Sequence, residues 1–197
     1  MPGYVKYKSN MSVLEYIILS FALAFPVMAT VRGCALKNHI RLTRGLAVSA
    51  LLAAIHVALI LIGIAVANLL RFGMPEYDNL VYLGLLIVVA LRLFYAAFRK
   101  QDRELPAYDI SQWGTVLLLG VATAVNTLLV GLGLGFRVSF HAELWRLSVP
   151  LFVVMFLLCY WGIMLGRRNK PMRERRWLLI AVLFLLIFAV KGAFFTD

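Results

Sequence analysis

The stretch Leu118–Phe136, LLGVATAVNTLLVGLGLGF, decides the fold of this chain. It is apolar along its length and long enough to cross a bilayer as a helix, with the amide Asn126 near its middle. A shift of one hundred residues places Leu19–Gly33, LSFALAFPVMATVRG, on the same pattern of small and apolar residues, with Pro26 in the place of Asn126. The two stretches are therefore predicted to be the first helices of two copies of one unit.

The composition of the chain is that of a membrane protein. Of its 197 residues, 63% are hydrophobic and only 15% are charged, which is outside the usual range of soluble globular domains. The net charge of +11 comes mainly from short loops between apolar runs, a placement typical of contact with anionic lipid, so no nucleic-acid partner is expected. One membrane domain over residues 1–197 accounts for the whole chain and leaves no room for a soluble catalytic domain.

Hydropathy and loop chemistry divide the chain into six apolar spans. Their predicted bounds are roughly 13–31, 46–70, 80–98, 114–136, 147–166 and 177–195. A unit of three helices crosses the membrane an odd number of times, so two consecutive copies run in opposite senses. The predicted fold is therefore an all-α integral membrane protein with six transmembrane helices in two inverted three-helix repeats, at about 13–98 and 114–195.

The distribution of charged residues predicts the orientation of the chain. Thirteen of the twenty Lys and Arg residues follow spans one, three and five, six lie on the opposite side, and Arg92 lies inside span three. The positive-inside rule then places both termini outside the cytoplasm, in a multi-pass protein of the cell inner (plasma) membrane. All nine acidic residues fall in loops, termini or helix ends, so no carboxylate is expected at the midplane.

His56 stands at the centre of the second span, in LLAAIHVALILIG. An ionisable side chain at that depth costs roughly 3 kcal/mol or more and is a functional candidate by default. Small residues share its helical face, as they do in helices that pack closely. His56 is interpreted either as a metal ligand or proton-carrying group, or as a neutral histidine hydrogen-bonded across a helix interface.

Asn126 shares a face of the fourth span with Thr123 and Thr127. Their amide and hydroxyl oxygens suit a hard cation or a polar path, and they equally suit hydrogen bonds between helices. Pro26, in the twin position of the first span, kinks its helix and frees a backbone carbonyl near Ala22. That carbonyl is a candidate ion ligand, and a plain kink is the alternative.

The remaining unusual residues of the spans have structural interpretations beside functional ones. Arg92 lies near the cytoplasmic end of the third span, where its side chain either extends to the interface or supplies a fixed positive charge at an inner gate or an anion contact. Gly131 and Gly135 have the spacing of close helix contact. Sulfur in the fifth span is interpreted as packing rather than as soft-metal ligands, at Met155, Cys159 and Met164.

Five stretches cover most of the chain, namely LSFALAFPVMATVRGCAL, RGLAVSALLAAIHVALILIG, GLLIVVALRLFYAAFRK, LLGVATAVNTLLVGLGLGF and YWGIMLGRR. In these the chain resembles the manganese efflux pump family, within the lysine exporter superfamily of six-helix transporters. The resemblance implies a metal pathway with an aspartate in helix one, a glutamate in helix two and an aspartate in helix four. The matching positions here are Pro26, His56 and Asn126, whereas the arginine of helix three is kept as Arg92.

Two functional hypotheses follow from these residues. The first is an exporter of manganese or another divalent metal that lies among Pro26, His56 and Asn126, with His56 and Asn126 as its ligands and Arg92 toward the cytoplasm. Because the lost acids leave a dication uncompensated in hydrocarbon, the alternative is a non-transporting structural or regulatory membrane subunit that keeps the fold. Without enzyme motifs, neither catalytic residues nor a cofactor are expected. The expected partners are the lipid bilayer, a divalent metal ion or small solute, and a second copy or another membrane protein.

Overall fold

The structure, a computed structural model, describes residues 12–37, 41–70, 78–98, 108–110, 112–137, 144–168 and 179–187, and six helices account for nearly all of them. The helices are α1 Val13–Lys37, α2 Leu42–Leu70, α3 Asp78–Phe98, α4 Trp113–Arg137, α5 Leu144–Arg167 and α6 at 179–187. This confirms the predicted all-α fold with six helices. Four of them (α1, α2, α4 and α5) are long and apolar enough to cross a membrane, and α3 carries the shorter apolar segment Leu80–Ala96. Both ends of the predicted sixth span, 177–195, lie outside the described residues.

The first helix extends further than its predicted end near residue 31. It begins with a capping box, in which Ser12 Oγ accepts a hydrogen bond from the Glu15 N–H at 3.3 Å and the Glu15 carboxylate accepts one from the Ser12 N–H at 3.0 Å. It then continues to Lys37, so that Arg32, predicted in a loop, lies inside the helix with only 6% of its surface exposed. The helix dipole favours basic residues near a helix C-terminus, an effect that hydropathy does not register.

The bundle is built from two closely packed helix pairs. α2 packs most extensively on α4 and α1 on α5, while α2 also contacts α5, and α3 contacts α4. α2 is apolar on all sides, and its buried face includes small residues such as Ser49, Ala53 and Gly63, which allow close helix packing. Large apolar side chains such as Leu69 and Leu118 are exposed on the outside, as expected of surfaces that contact lipid.

Glycines bring the backbones of α2 and α4 into contact. A Cβ atom on Gly131 would collide with the Ile60 carbonyl oxygen, and a Cβ atom on Gly135 would lie 2.8 Å from the carbonyl oxygen of Ile64. The predicted close helix contact at Gly131 and Gly135 is therefore confirmed. Since the contacts advance together along both chains, the two helices run parallel, as expected for helices separated by an even number of crossings.

The α1–α5 interface uses glycine in the same way. A Cβ atom on Gly162 would lie 2.8 Å from the Met28 carbonyl oxygen, and one on Gly166 would lie 2.7 Å from the carbonyl oxygen of Arg32. These contacts also advance together, so α1 and α5 run parallel. Neither interface leaves room for a side chain at these glycines.

The contacts of the α1–α5 interface match those of the α2–α4 interface when the helices of one half of the chain are renumbered onto the other half. Moving α5 back by 99 residues and α1 forward by 100 turns the contact of Gly162 with Met28 into the contact of Gly63 with Leu128, where a Cβ on Gly63 would lie 2.5 Å from the Leu128 carbonyl oxygen. A second pair obeys the same shifts: Gly166 with Ala35, and Ala67 with Gly135. The division into repeats at about 13–98 and 114–195 stays a prediction, which these matched contacts support.

Candidate functional site

His56 is completely buried on the inward face of α2. Its Nδ1 lies 2.9 Å from the carbonyl oxygen of Leu52, one turn earlier in the same helix. Because a carbonyl oxygen only accepts, this hydrogen bond assigns the ring proton to Nδ1 and leaves a lone pair on Nε2. Nε2 is buried and has no hydrogen-bond partner among the described residues. The imidazole is thus held in the tautomer that presents a free nitrogen ligand to the interior.

Asn126 provides a second buried acceptor, on α4. Its Oδ1 atom is buried and has no hydrogen-bond partner within the described ranges, although the residue as a whole is only half-buried. An amide oxygen carries two lone pairs and no proton. Leaving such an acceptor unsatisfied costs about 1–3 kcal/mol, so the atom needs a donor or a cation.

The imidazole of α2 and the amide of α4 lie at the same depth in the bundle. On one side of them, a Cβ atom on Gly120 would lie 3.2 Å from Leu52 Cδ2, and on the other side Gly131 meets the backbone of Ile60. The histidine is midway between the two α2 contacts, and the asparagine is close to midway between the two α4 contacts. Two unpartnered acceptors therefore lie at one level of the bundle. His56 is on the face of α2 that packs on α4, and Asn126 is seven residues before Gly133, on the side of α4 where a Cβ on Gly133 would contact Tyr82 of α3.

The chemistry of this pair is that of a cation site. A nitrogen lone pair and an amide oxygen do not hydrogen-bond to each other, and the donors of the Asn126 side chain are on its amide nitrogen. A metal cation or a proton satisfies an acceptor of either kind. Imidazole nitrogen binds most divalent transition metals, whereas amide oxygen suits harder ions.

The two threonines of the predicted site differ in their surroundings. Thr123 Oγ1 donates a hydrogen bond within α4, toward Leu119 O at 2.8 Å and Gly120 O at 3.1 Å. Thr127 is almost fully buried and follows Asn126 in the segment level with the histidine. Both hydroxyl oxygens keep lone pairs for a ligand, but the Thr123 hydroxyl proton is already used by its own helix.

Pro26 and Arg92 lie on other helices. Pro26 is half-buried inside α1, and its carbonyl oxygen accepts a hydrogen bond from Thr30 Oγ1 at 3.0 Å. α1 contacts α4 weakly and packs chiefly on α5. Arg92 is exposed on α3, a helix that packs against α4. The structure thus places the histidine of α2 and the polar residues of α4 at about one level of the bundle, whereas Arg92 is exposed on α3.

Negative charge is absent from the interior of the described helices. Their acidic residues occur only near helix starts: Glu15 in α1 and Asp78 in α3, with Asp109 shortly before α4. Nor does any cluster of three or more His, Cys, Asp or Glu side chains that suits a metal occur in the described part of the chain. A cation between α2 and α4 would therefore be held by neutral groups.

Hydropathy gave no indication of a contact that joins the first turns of α2 and α4. The guanidinium carbon of Arg44 lies 5.4 Å from the centroid of the Trp113 ring, within the range of a cation–π interaction. It ties the two helices together at the end that the charge distribution assigns to the cytoplasm. The available indication was a basic residue just before span two together with a Trp just before span four.

Comparisons with known proteins show which family the chain resembles. The sequence profile of the family described as "Putative manganese efflux pump" matches residues 39–192. Proteins named "Putative manganese efflux pump MntP" are similar in sequence: that of Aliarcobacter butzleri (strain RM4018) is 29% identical over 91% of this chain and 98% of its own length, and that of Corynebacterium glutamicum (strain R) is 26% identical over 81% and 84%. The protein of that name from Proteus mirabilis (strain HI4320) is 23% identical over 90% and 95%. No solved structure matches the chain. The profile spans most of the chain, from the start of α2 to the end of the predicted sixth span, and this protein therefore belongs to the manganese efflux pump family.

Proposed function

We propose that this protein exports a metal cation across the inner membrane and that the cation binds between His56 on α2 and Asn126 on α4. The observation that carries the proposal is the pair of buried acceptor atoms, His56 Nε2 and Asn126 Oδ1, which lie at one level without a donor among the described residues. Membership of a family of membrane metal exporters supports it, as do relatives named for manganese efflux.

The same histidine offers a way to couple export to protons. The single lone pair of Nε2 binds either a metal ion or a proton. A proton that arrives from the outside therefore displaces the metal: the metal–nitrogen bond breaks as the N–H bond forms. The hydrogen bond from Nδ1–H to the Leu52 carbonyl keeps the ring in place through this exchange.

The glycine contacts support an export step in which pairs of helices move as rigid groups. Inverted-repeat transporters expose a midplane site alternately to each side by rocking one group of helices against another. The α2–α4 and α1–α5 pairs, each locked by backbone contact at glycines, are the rigid groups that we propose. With both termini outside the cytoplasm, as the charge distribution predicts, the exposed Arg92 would lie near the cytoplasmic interface rather than on the pathway.

A tolerance assay tests the proposal. The parent chain, His56→Leu, Asn126→Leu and the double variant are each expressed in a metal-sensitive host that lacks its own exporters. We expect each single variant to lower tolerance to that of cells without the protein, and the double variant to add nothing further, because both residues serve one site.

The matched control for this assay is Ser49→Ala. Ser49 is buried on the same face of α2, and its hydroxyl donates to the Gly45 carbonyl at 2.9 Å, so its loss removes a polar group without touching the site. Membrane levels of each variant are compared by immunoblot. Unchanged tolerance of the double variant across a panel of metals would contradict the proposal.

One observation favours a second candidate function. The described helices carry no carboxylate in their interior and no cluster of three His, Cys, Asp or Glu side chains, so a non-transporting structural or regulatory subunit is the alternative. That function predicts stable co-purification with another membrane protein and no metal flux from proteoliposomes that contain this chain alone.

A further inference from the structure

We infer that the cargo is a soft monovalent cation of the copper(I) or silver(I) class, which reaches His56 along three buried sulfur side chains. These three, Met28 on α1 with Cys159 and Met155 on α5, are called the sulfur ladder below. The inference rests on the proposed function and specifies its substrate class. It also revises the interpretation of Met155 and Cys159 as packing residues only.

The sulfur ladder lies in the glycine-packed interface between α1 and α5. Met155, Cys159 and Gly162 are four and three residues apart, so they share one face of α5. That face packs on α1, because a Cβ atom on Gly162 would lie 3.0 Å from Met28 Cγ. Met155 and Cys159 are 0% exposed and Met28 is 2% exposed, so all three sulfur atoms are enclosed by the protein.

The direction of the Met28 side chain brings its thioether toward the thiol. Side chains on a helix lean toward its N-terminus. Because α1 and α5 run parallel, the Met28 side chain leans from the level of Gly162 toward the level of Cys159, one turn earlier in α5. Met155 follows one further turn away. By helical spacing, the side chains of Met28, Cys159 and Met155 therefore follow one another along the interface toward the middle of the bundle.

The Met155 end of the sulfur ladder lies close to the level of His56 along the bundle. α2 and α5 contact each other, and a Cβ on Gly45 would lie 3.3 Å from Ile163 Cγ2. From this contact to His56 is about 16 Å along α2, and from it to Met155 is about 12 Å along α5, in the same direction because the helices are antiparallel. The imidazole and the thioether thus lie within about one helical turn in height, on helices that touch.

The internal shift gives these two residues the same place in the two halves of the chain. Moving His56 forward by the 99 residues that relate Gly63 to Gly162 gives Met155. The matched positions therefore carry a nitrogen donor in one half and a sulfur donor in the other. Both are completely buried.

The chemistry of these donors selects the class of ion. Thioether and thiol sulfur are soft ligands that favour copper(I), and imidazole also binds copper. Charge points the same way, because the desolvation cost of an ion grows with the square of its charge and is about four times smaller for a monocation than for a dication of the same size. The described helices offer no interior carboxylate to compensate the larger charge.

The test measures thermal unfolding of the purified full chain in detergent with silver(I), with manganese(II) and without metal. The variants are Met155→Leu, Cys159→Ala and the double variant, all with Cys34→Ala so that the second thiol does not bind silver. Met→Leu conserves volume and usually costs less than about 1.5 kcal/mol, so the metal-free proteins remain comparable. The matched control is Met164→Leu, because Met164 lies nine residues from Met155 and thus on the opposite face of α5.

We expect silver(I) to raise the melting temperature of the parent chain and of Met164→Leu equally. The shift should fall by about half or more in each single variant and vanish in the double variant, since a two-coordinate soft ion loses its ligands. A silver shift that persists in the double variant would overturn the inference. A shift with manganese(II) and none with silver(I) would overturn it and leave the proposed function standing, whereas no shift with either metal would contradict both.

Discussion

Replacing Gly131 by alanine is expected to cost about 3 kcal/mol of folding stability, because overpacking here meets backbone rather than a side chain. The new Cβ atom would collide with the Ile60 carbonyl oxygen and lie 3.0 Å from Ile60 Cα. α2 must then move away from α4, and the contacts on both sides of the site loosen with it. The gain of about 1 kcal/mol in helix propensity does not offset this loss.

The control for Gly131→Ala is Gly133→Ala in the same helix. A Cβ atom there would make an ordinary contact, 3.5 Å from Tyr82 Cδ2, so the variant should be as stable as the parent or slightly more stable. Thermal unfolding and the monodisperse fraction on size exclusion measure both proteins. Equal behaviour of the two variants would contradict the backbone contact between α2 and α4.

The double variant His56→Glu with Asn126→Asp is expected to acquire a strong response to manganese(II). The resemblance to the family places a glutamate and an aspartate at these two positions, and carboxylate oxygen is the ligand that manganese favours. Without metal, two buried carboxylates at one level repel each other and lack partners, so the melting temperature should fall. Manganese at one hundred times its dissociation constant would then restore about 2.7 kcal/mol.

The two single variants serve as controls for this exchange. Each supplies one carboxylate, and we expect each to give less than half of the manganese-induced rise in melting temperature that the double variant gives. The silver(I) response of the double variant should fall at the same time, because the imidazole is gone. If manganese does not raise the melting temperature of the double variant, the two positions do not share a site.

The fold was largely predictable because the apolar runs and the glycine spacing of the sequence indicate the same architecture. Long apolar runs predicted six helices, and the spacing of Gly131 and Gly135 predicted the close contact that α4 makes with α2. Helix ends were less predictable. At Arg32 the sequence turns basic while the helix continues for five more residues, since a helix C-terminus accommodates positive charge that hydropathy assigns to a loop.

The sequence singles out the residues of the candidate site, whose role stays a prediction, but it does not reveal their surroundings. A lone histidine in a span is conspicuous, yet periodicity does not reveal that Nδ1 is held by the Leu52 carbonyl and that Nε2 is left without a partner. The alignment of the sulfur side chains was harder to predict. Met28 lies in a different span from Met155 and Cys159, and only the packing of α1 on α5 aligns them along one interface.

The chain thus combines an all-α fold of six helices with uncharged residues at the positions where the resemblance to the family leads one to expect carboxylates. Those positions carry Pro26, His56 and Asn126. A fold of this kind supports different cargoes through such exchanges, because the site rather than the scaffold decides which ion binds.

Metal flux in proteoliposomes tests most directly the central claim that a cation passes between His56 and Asn126. Vesicles that contain the parent chain, the His56→Leu/Asn126→Leu double variant or Ser49→Ala are loaded with a metal-sensitive dye and given silver(I) or manganese(II) outside. We expect flux for the parent and Ser49→Ala, and flux no greater than that of protein-free vesicles for the double variant. Equal flux through the parent and the double variant would contradict it.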